Sequence, residues 1–202
     1  MNQEKADVRD FWDRASCGEE LYLAGEDRQA YQAQADTRYA LEPYIPEFAG
    51  FNTARGLRVL EIGVGLGADH QRFAQAGAVL SGIDLTERAV EHTRRRLAVF
   101  GLASDLAVGD AENLQFPDES FDLVYSWGVL HHSPDMPKAI AEVWRVLKRG
   151  GGGEDHGLPQ VELGRLDALG ALRAARAEAL ATPTRDLRPV SGEPGHQGLL
   201  GG

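Results

Sequence analysis

The stretch LEIGVGLGADH carries the first chemical signal: Glu61, Gly63, Gly65 and Gly67 stand where an apolar run gives way to a helical one. Glycines at a strand-to-helix turn let a ligand approach the backbone closely, and a nucleotide-like ligand is the natural occupant. The spacing does not choose between nucleotides, because Gly63, Gly65 and Ala68 also satisfy the dinucleotide pattern G-x-G-x-x-A. A glycine turn that serves only tight packing is the plain alternative. Asp84 closes the next apolar run, SGIDLT, where a carboxylate can accept hydrogen bonds from both hydroxyls of a ribose. Each such charge-assisted bond contributes about 1.5–3 kcal/mol. The competing role for Asp84 is to cap the helix after Thr86. Asp69 and His70 open the helix behind the glycines and either touch the charged end of a ligand or stand in solvent.

These residues need elements to hold them. From Leu57 to Gly151 apolar runs alternate with amphipathic ones: LRVLEI, a helix from His70 to Ala76, AVLSGID, a helix from Glu87 to Val99, DLAVGD, FDLVYSW and a helix from Pro137 to Leu147. Alternation of this kind predicts an α/β protein with parallel strands joined by crossover helices. Residues 1–50 are polar, with helical spacing from Asp27 to Leu41, and read as an N-terminal helical cap. Phe11 and Trp12 in that cap could close over the ligand or pack onto the sheet.

Composition removes several classes of function. A chain of 202 residues, 43% of them hydrophobic, can bury one substantial core. The formal charge of −10, with no basic stripe, argues against nucleic acid as the partner. Cys17 is the sole cysteine, which excludes an internal disulfide and a cysteine-rich zinc site. No signal peptide or apolar run long enough for a membrane span is present, so the expected location is the cytoplasm.

The stretch GDAENLQFPDESFDLVYSWGVLHHSPD separates the nucleotide readings. With it, residues 8 to 151 resemble the class I S-adenosylmethionine-dependent methyltransferases, particularly the bacterial branch related to quinone-biosynthesis methyltransferases. Glu61 through Gly67 match that family's first motif, Asp84 its ribose carboxylate, and Gly109-Asp110-Ala111-Glu112 its adenine turn. Phe116-Pro117 through Phe121-Asp122, and Ser126 through His132, match its fourth strand and following loop. The resemblance implies a Rossmann-like parallel sheet and S-adenosyl-L-methionine as cofactor, with no metal. It implies that Asp110 accepts from the adenine amino group, Ala111 leaves room for the ring and Leu85 packs on its face. The backbone at Gly63 and Gly65 would approach the methionine portion, with Glu61 organising the turn and reaching the amine through water. Trp127, His131 and His132 follow the fourth strand at its carboxyl end, where ligands sit in open α/β sheets. Either histidine could take a proton from the nucleophile of a small-molecule methyl acceptor, or could simply bond to backbone. An NAD-dependent oxidoreductase and an inactive methyltransferase fragment are the other readings.

The chain changes character near residue 151. All seven Phe, five Tyr and three Trp precede that point. In the resembled family a central strand follows the Gly150-Gly151 turn, yet here the next residues, after Gly152 and Gly153, are Glu154-Asp155-His156-Gly157-Leu158-Pro159. A one-nucleotide shift of frame permits Lys-Ile-Met-Val-Tyr-His-Lys over residues 154–160, which has the apolar and β-branched character of a strand. The expectation is therefore a cap over residues 1–50, a methyltransferase core over 51–151 lacking its C-terminal strands, and an aberrant or disordered tail over 152–202, read as frameshifted. Leu163, Leu166, Leu169 and Leu172 allow a weak helix in that tail. The fourth strand is expected to present an unpaired, association-prone edge.

Overall fold

The computed structural model describes residues 3–149 and the backbone of residues 160–164. The cap is helical: α1 (Gln3–Arg14), α2 (Glu19–Tyr22), α3 (Arg28–Leu41) and α4 (Ile45–Ala49) precede the first strand. Asp27 starts α3 by accepting from the Ala30 backbone N–H at 2.8 Å. Then come β1 (Arg58–Ile62), α5 (Ala68–Ala76), β2 (Val79–Asp84), α6 (Glu87–Phe100), β3 (Asp105–Val108), β4 (Leu123–Trp127), α7 (Met136–Val146) and β5 (Gln160–Gly164). The strands lie in the order β3-β2-β1-β4-β5, and every neighbouring pair is parallel. This is the expected Rossmann-like α/β sheet behind a helical cap.

Period-two alternation divides the core into two layers. Leu60 and Ile62 of β1 and Val124 of β4 face Ala139, Val143 and Val146 of α7. Val59, Leu123 and Tyr125 face the other way, onto Ile45 and Ala49 of α4, Phe51, and Phe73 of α5. Glu61 lies in the α5-facing register of β1, directly between Gly82 of β2 and Tyr125 of β4. A carboxylate, an absent side chain and a phenol thus form one row across the middle of the sheet, beneath the first turn of α5.

One expectation is corrected. Gln160–Gly164 runs parallel to β4 in unbroken register, Leu123 opposite Gln160 through Trp127 opposite Gly164, so β4 is not an unpaired edge. Leu163 and Gly164 belong to this strand rather than to a helix. The sequence reading sought a strand immediately after the glycines. The usable alternation, Val161 and Leu163, comes only after Pro159, and a proline at a strand's threshold costs no ladder hydrogen bond. Among the described residues the sheet stops at this fifth strand. The expectations for residues 152–159 and 165–202, the shifted frame included, lie outside the described residues.

Candidate active site

At the carboxyl ends of the strands lies a cavity of about 430 Å³. The residues assigned to the cofactor and the two candidate proton acceptors all line it: Glu61, Gly63, Gly65, Gly67, Asp84, Leu85, Asp110, Ala111, Trp127, His131 and His132. They come from four separate segments, one at the end of each of β1 to β4, and the parallel sheet brings them together because every strand delivers its carboxyl end to the same side.

The glycines divide the labour. A Cβ on Gly63 would fall 2.1 Å from Val129 Cγ2, and one on Gly67 would fall 2.8 Å from Thr93 Oγ1, so these two permit close packing. Gly65 differs: a Cβ there meets nothing within 4 Å, while φ of +51° places the residue in the left-handed region. Its open face is where a ligand can come against the backbone.

Asp84 fixes that turn. Its Oδ2 accepts from the Gly65 N–H at 3.2 Å, and its Oδ1 accepts from the Thr86 N–H at 3.0 Å and the Thr86 hydroxyl at 2.9 Å. Thr86, not Asp84, caps α6, accepting from the Ala89 N–H. The capping role is thereby filled by a neighbour, and Asp84 ties β2 to the glycine turn. Burial pushes its carboxyl above the usual range, partly offset by these donors.

Asp110 is held from two sides. Oδ1 accepts from the Glu112 N–H at 2.9 Å, and Oδ2 accepts from Lys5 Nζ at 2.7 Å. Lys5 also donates to Glu112 Oε2 at 2.5 Å and is itself only 8% exposed. Glu112 in turn accepts from the Ser133 hydroxyl and the Asp135 N–H. Helix α1 is thus pinned across the cavity, with Val8 and Trp12 lining it. Trp12 packs against His132 with ring centroids 5.3 Å apart, while Phe11 stays 61% exposed.

Trp127 ends β4 and packs on Tyr44 and Phe48, at centroid distances of 5.5 and 5.3 Å. His131 and His132 follow in a 3₁₀ turn, ring centroids 3.9 Å apart. Burial, then the neighbouring His131, pulls the His132 pKa down, so at neutral pH its ring is an uncharged base.

Asp69 and His70 are neither solvated nor loose. Buried Asp69 accepts from Arg38, from Tyr39 Oη at 3.0 Å and from Tyr125 Oη at 2.8 Å. His70 is fully buried, with Nδ1 2.8 Å from Glu61 Oε2 and Nε2 2.8 Å from Ser104 Oγ. Sequence reasoning missed Lys5 and Arg38 as well. Lys5 meets its carboxylates across more than a hundred residues, and no local pattern signals such a pair.

Comparison with known proteins agrees with this geometry. Residues 60–152 match the family described as "Methyltransferase domain". A phosphatidylethanolamine N-methyltransferase of Cereibacter sphaeroides is 36% identical over 100 residues, 48% of this chain and 49% of that protein. The phthiotriol/phenolphthiotriol dimycocerosates methyltransferase of Mycobacterium tuberculosis (strain ATCC 25618 / H37Rv) is 37% identical over 134 residues, 65% of this chain and 46% of that protein. The chain therefore spans about half the length of the curated relatives it matches. Among solved structures, the 4+2 cyclase SpnF superposes with a TM-score of 0.54 at 27% identity, covering 71% of this chain and 57% of that one. Residues 60–152 thus resemble a methyltransferase domain, and the parallel sheet has the Rossmann-like fold of the class I type.

Proposed function

We propose that this chain is an S-adenosylmethionine-dependent methyltransferase acting on a small-molecule acceptor. The observation that carries the reading is the convergence of Asp84 and Asp110 on one cavity with the open face of Gly65. Asp84 would accept from the ribose hydroxyls and Asp110 from the adenine amino group, with Ala111 and Leu85 against the ring. Gly63, Gly65 and Glu61 would receive the methionine portion.

Charge favours this ligand over a dinucleotide. Glu42, Glu61, Asp69, Asp84 and Asp110 line the cavity. Among the described lining residues the lysine and arginine side chains are Lys5 and Arg38, and both are already ion-paired with acids. Even with Glu61 left out of the count, four acids face these two cations, so a diphosphate would meet an excess of negative charge, whereas a sulfonium and an ammonium meet complementary charge.

S-adenosylmethionine supplies a methyl group already activated on sulfur. The chain's own task is alignment, which can account for about 7–11 kcal/mol of a displacement barrier. Trp127 and the Trp12–His132 contact would shield the reacting end from water, and His132, uncharged at neutral pH, is placed to take a proton from an oxygen or nitrogen nucleophile. The lipid-related names of the curated relatives suggest an acceptor with a large apolar part. The similarity to a cyclase supports a second reading, in which the same cavity binds the cofactor but the chemistry is ring closure.

Calorimetric titration with S-adenosylhomocysteine and with NAD⁺ tests the cofactor. Binding of the first and not the second is expected; the reverse would overturn the proposal. Release of label from methyl-labelled S-adenosylmethionine to an acceptor separates transfer from ring closure.

A further inference from the structure

Buried Glu61 and His70 and half-buried Ser104 form a line whose proton positions follow from counting donors. Ser104 Oγ lies 2.9 Å from the Leu80 carbonyl oxygen, and a carbonyl can only accept, so the hydroxyl proton points there. Toward His70 the same oxygen must therefore accept, which places a proton on His70 Nε2. The contact between His70 Nδ1 and Glu61 Oε2 then needs one further proton, and only one fits between them. The pair is either carboxylic acid with neutral imidazole or carboxylate with imidazolium, and in both forms it carries no net charge.

We propose that Glu61 and His70 hold this single proton in common, and that His70 is a positioning residue which lets Glu61 offer a carboxylate to a cationic amine without exchanging a proton with solvent. When the amine arrives, the Glu61 O–H bond breaks, its electron pair stays on the carboxylate, and the proton passes to His70 Nδ1. This rests on the reading above that Glu61 receives the amine end of the cofactor.

The surroundings fit a proton resting on Glu61 in the free protein. Burial drives the Glu61 carboxyl well above its ordinary range, with Asp69 adding to the effect, and burial drives His70 down to about 3. The other charged or titratable groups facing the pair are Asp69 beside it on α5, Arg38 from α3, Asp84 from β2 and Tyr125 from β4. Arg38 and Asp69 neutralise one another through an ion pair of 2.6 Å, so neither fixes the charge of Glu61 alone. Gly82 supplies the space: a Cβ there would stand 2.6 Å from His70 Cε1.

Two measurements test this. In the free full-length chain, nitrogen-15 spectroscopy of histidine should show Nε2 protonated and Nδ1 unprotonated from about pH 5 to 8, with a proton appearing on Nδ1 when S-adenosylhomocysteine binds. An unprotonated Nε2, or a ring that titrates near its ordinary value, would overturn the proposal. In parallel, S-adenosylhomocysteine affinity should stay level over that range in the wild type. In His70→Gln it should weaken as pH falls, approaching tenfold per pH unit, because Glu61 must then shed its proton to solvent on binding. Equal pH dependence in the two proteins would also overturn it. If the wild type binds no S-adenosylhomocysteine, the cofactor reading fails, and the free-protein nitrogen spectrum still decides where the proton sits.

Discussion

Asp84 and Asp110 differ in what they leave available to a ligand. Asp84 spends both oxygens on the glycine turn and Thr86, whereas Asp110 is one-third exposed and shared with Lys5. Asp84→Ala should thus loosen the turn and, on the proposed assignment, remove a ribose acceptor, and Asp110→Ala should on the same assignment remove the adenine acceptor. Each should weaken S-adenosylhomocysteine binding at least tenfold, a loss of about 1.4 kcal/mol or more, measured by calorimetry. Unchanged affinity in both variants would remove the assignment. The Glu61–His70 pair makes a second prediction, on stability. Unfolded, Glu61 titrates near 4.5 and His70 near 6.5; under the shared-proton proposal the folded pair keeps one proton throughout that interval. Between those values the unfolded chain also holds one proton on these groups, so their contribution does not change with pH. Above 6.5 the unfolded chain holds fewer protons and stability falls as pH rises; below 4.5 it holds more and stability falls as pH drops. The difference in melting temperature between the wild type and a Glu61→Gln/His70→Gln double variant should be greatest and level from 4.5 to 6.5. A difference that rises steadily through 6.5 would contradict the shared proton.

Helix α5 and the strands beneath it form the element on which the cavity floor depends. Tyr125 and Tyr39 fasten Asp69, Arg38 joins from the cap, and His70 occupies the space that Gly82 leaves. Buried Arg96 of α6 ties the same region together, donating to Gln71 of α5, Gln34 and the Tyr31 carbonyl of α3, and the Leu66 carbonyl of the glycine turn. Gly82→Ala tests this layer. The added Cβ would meet His70 Cε1 at 2.6 Å, Val64 Cγ1 at 2.7 Å and Leu106 Cδ2 at 2.9 Å, the first two on a fully buried ring and a buried β-branched side chain. Overpacking of this kind costs about 1–3 kcal/mol. Chemical denaturation should register that loss, and a neutral result would mean that His70 can move away from Glu61 without penalty.

Across the whole molecule, β1 and β4 form the centre of the sheet, and β4 depends on β5 for its outer ladder. Ending the chain at residue 159 would strip the partner from Leu123–Trp127, four of whose five residues are buried. An exposed ladder of that kind templates association. The shortened chain should melt at lower temperature and show concentration-dependent light scattering. A monodisperse shortened chain with unchanged melting would show that β5 contributes little to the sheet. Among the described residues no helix is long and apolar enough to cross a membrane.

The sequence by itself determined the strand–helix alternation, the glycine turn and the carboxylates at the ends of successive strands. Each is written locally, in hydrophobic period, in residues without side chains and in single acids where an apolar run stops. That is why β1, β2, α5, α6 and α7 fall within a few residues of their expected bounds. Only the tertiary structure decided which polar residues are partners. Asp69 and His70 look like ordinary solvated residues of a first helical turn until α5 lies across the row of Gly82, Glu61 and Tyr125. Lys5 looks like one more charge on a polar helix until α1 crosses the cavity to Asp110 and Glu112. The same holds for β5, whose two alternating apolar residues gain meaning only beside β4. A hydrogen bond or ion pair between distant segments leaves no periodic trace, because the energy that selects it, burial of one charge against another, exists only once the chain has folded.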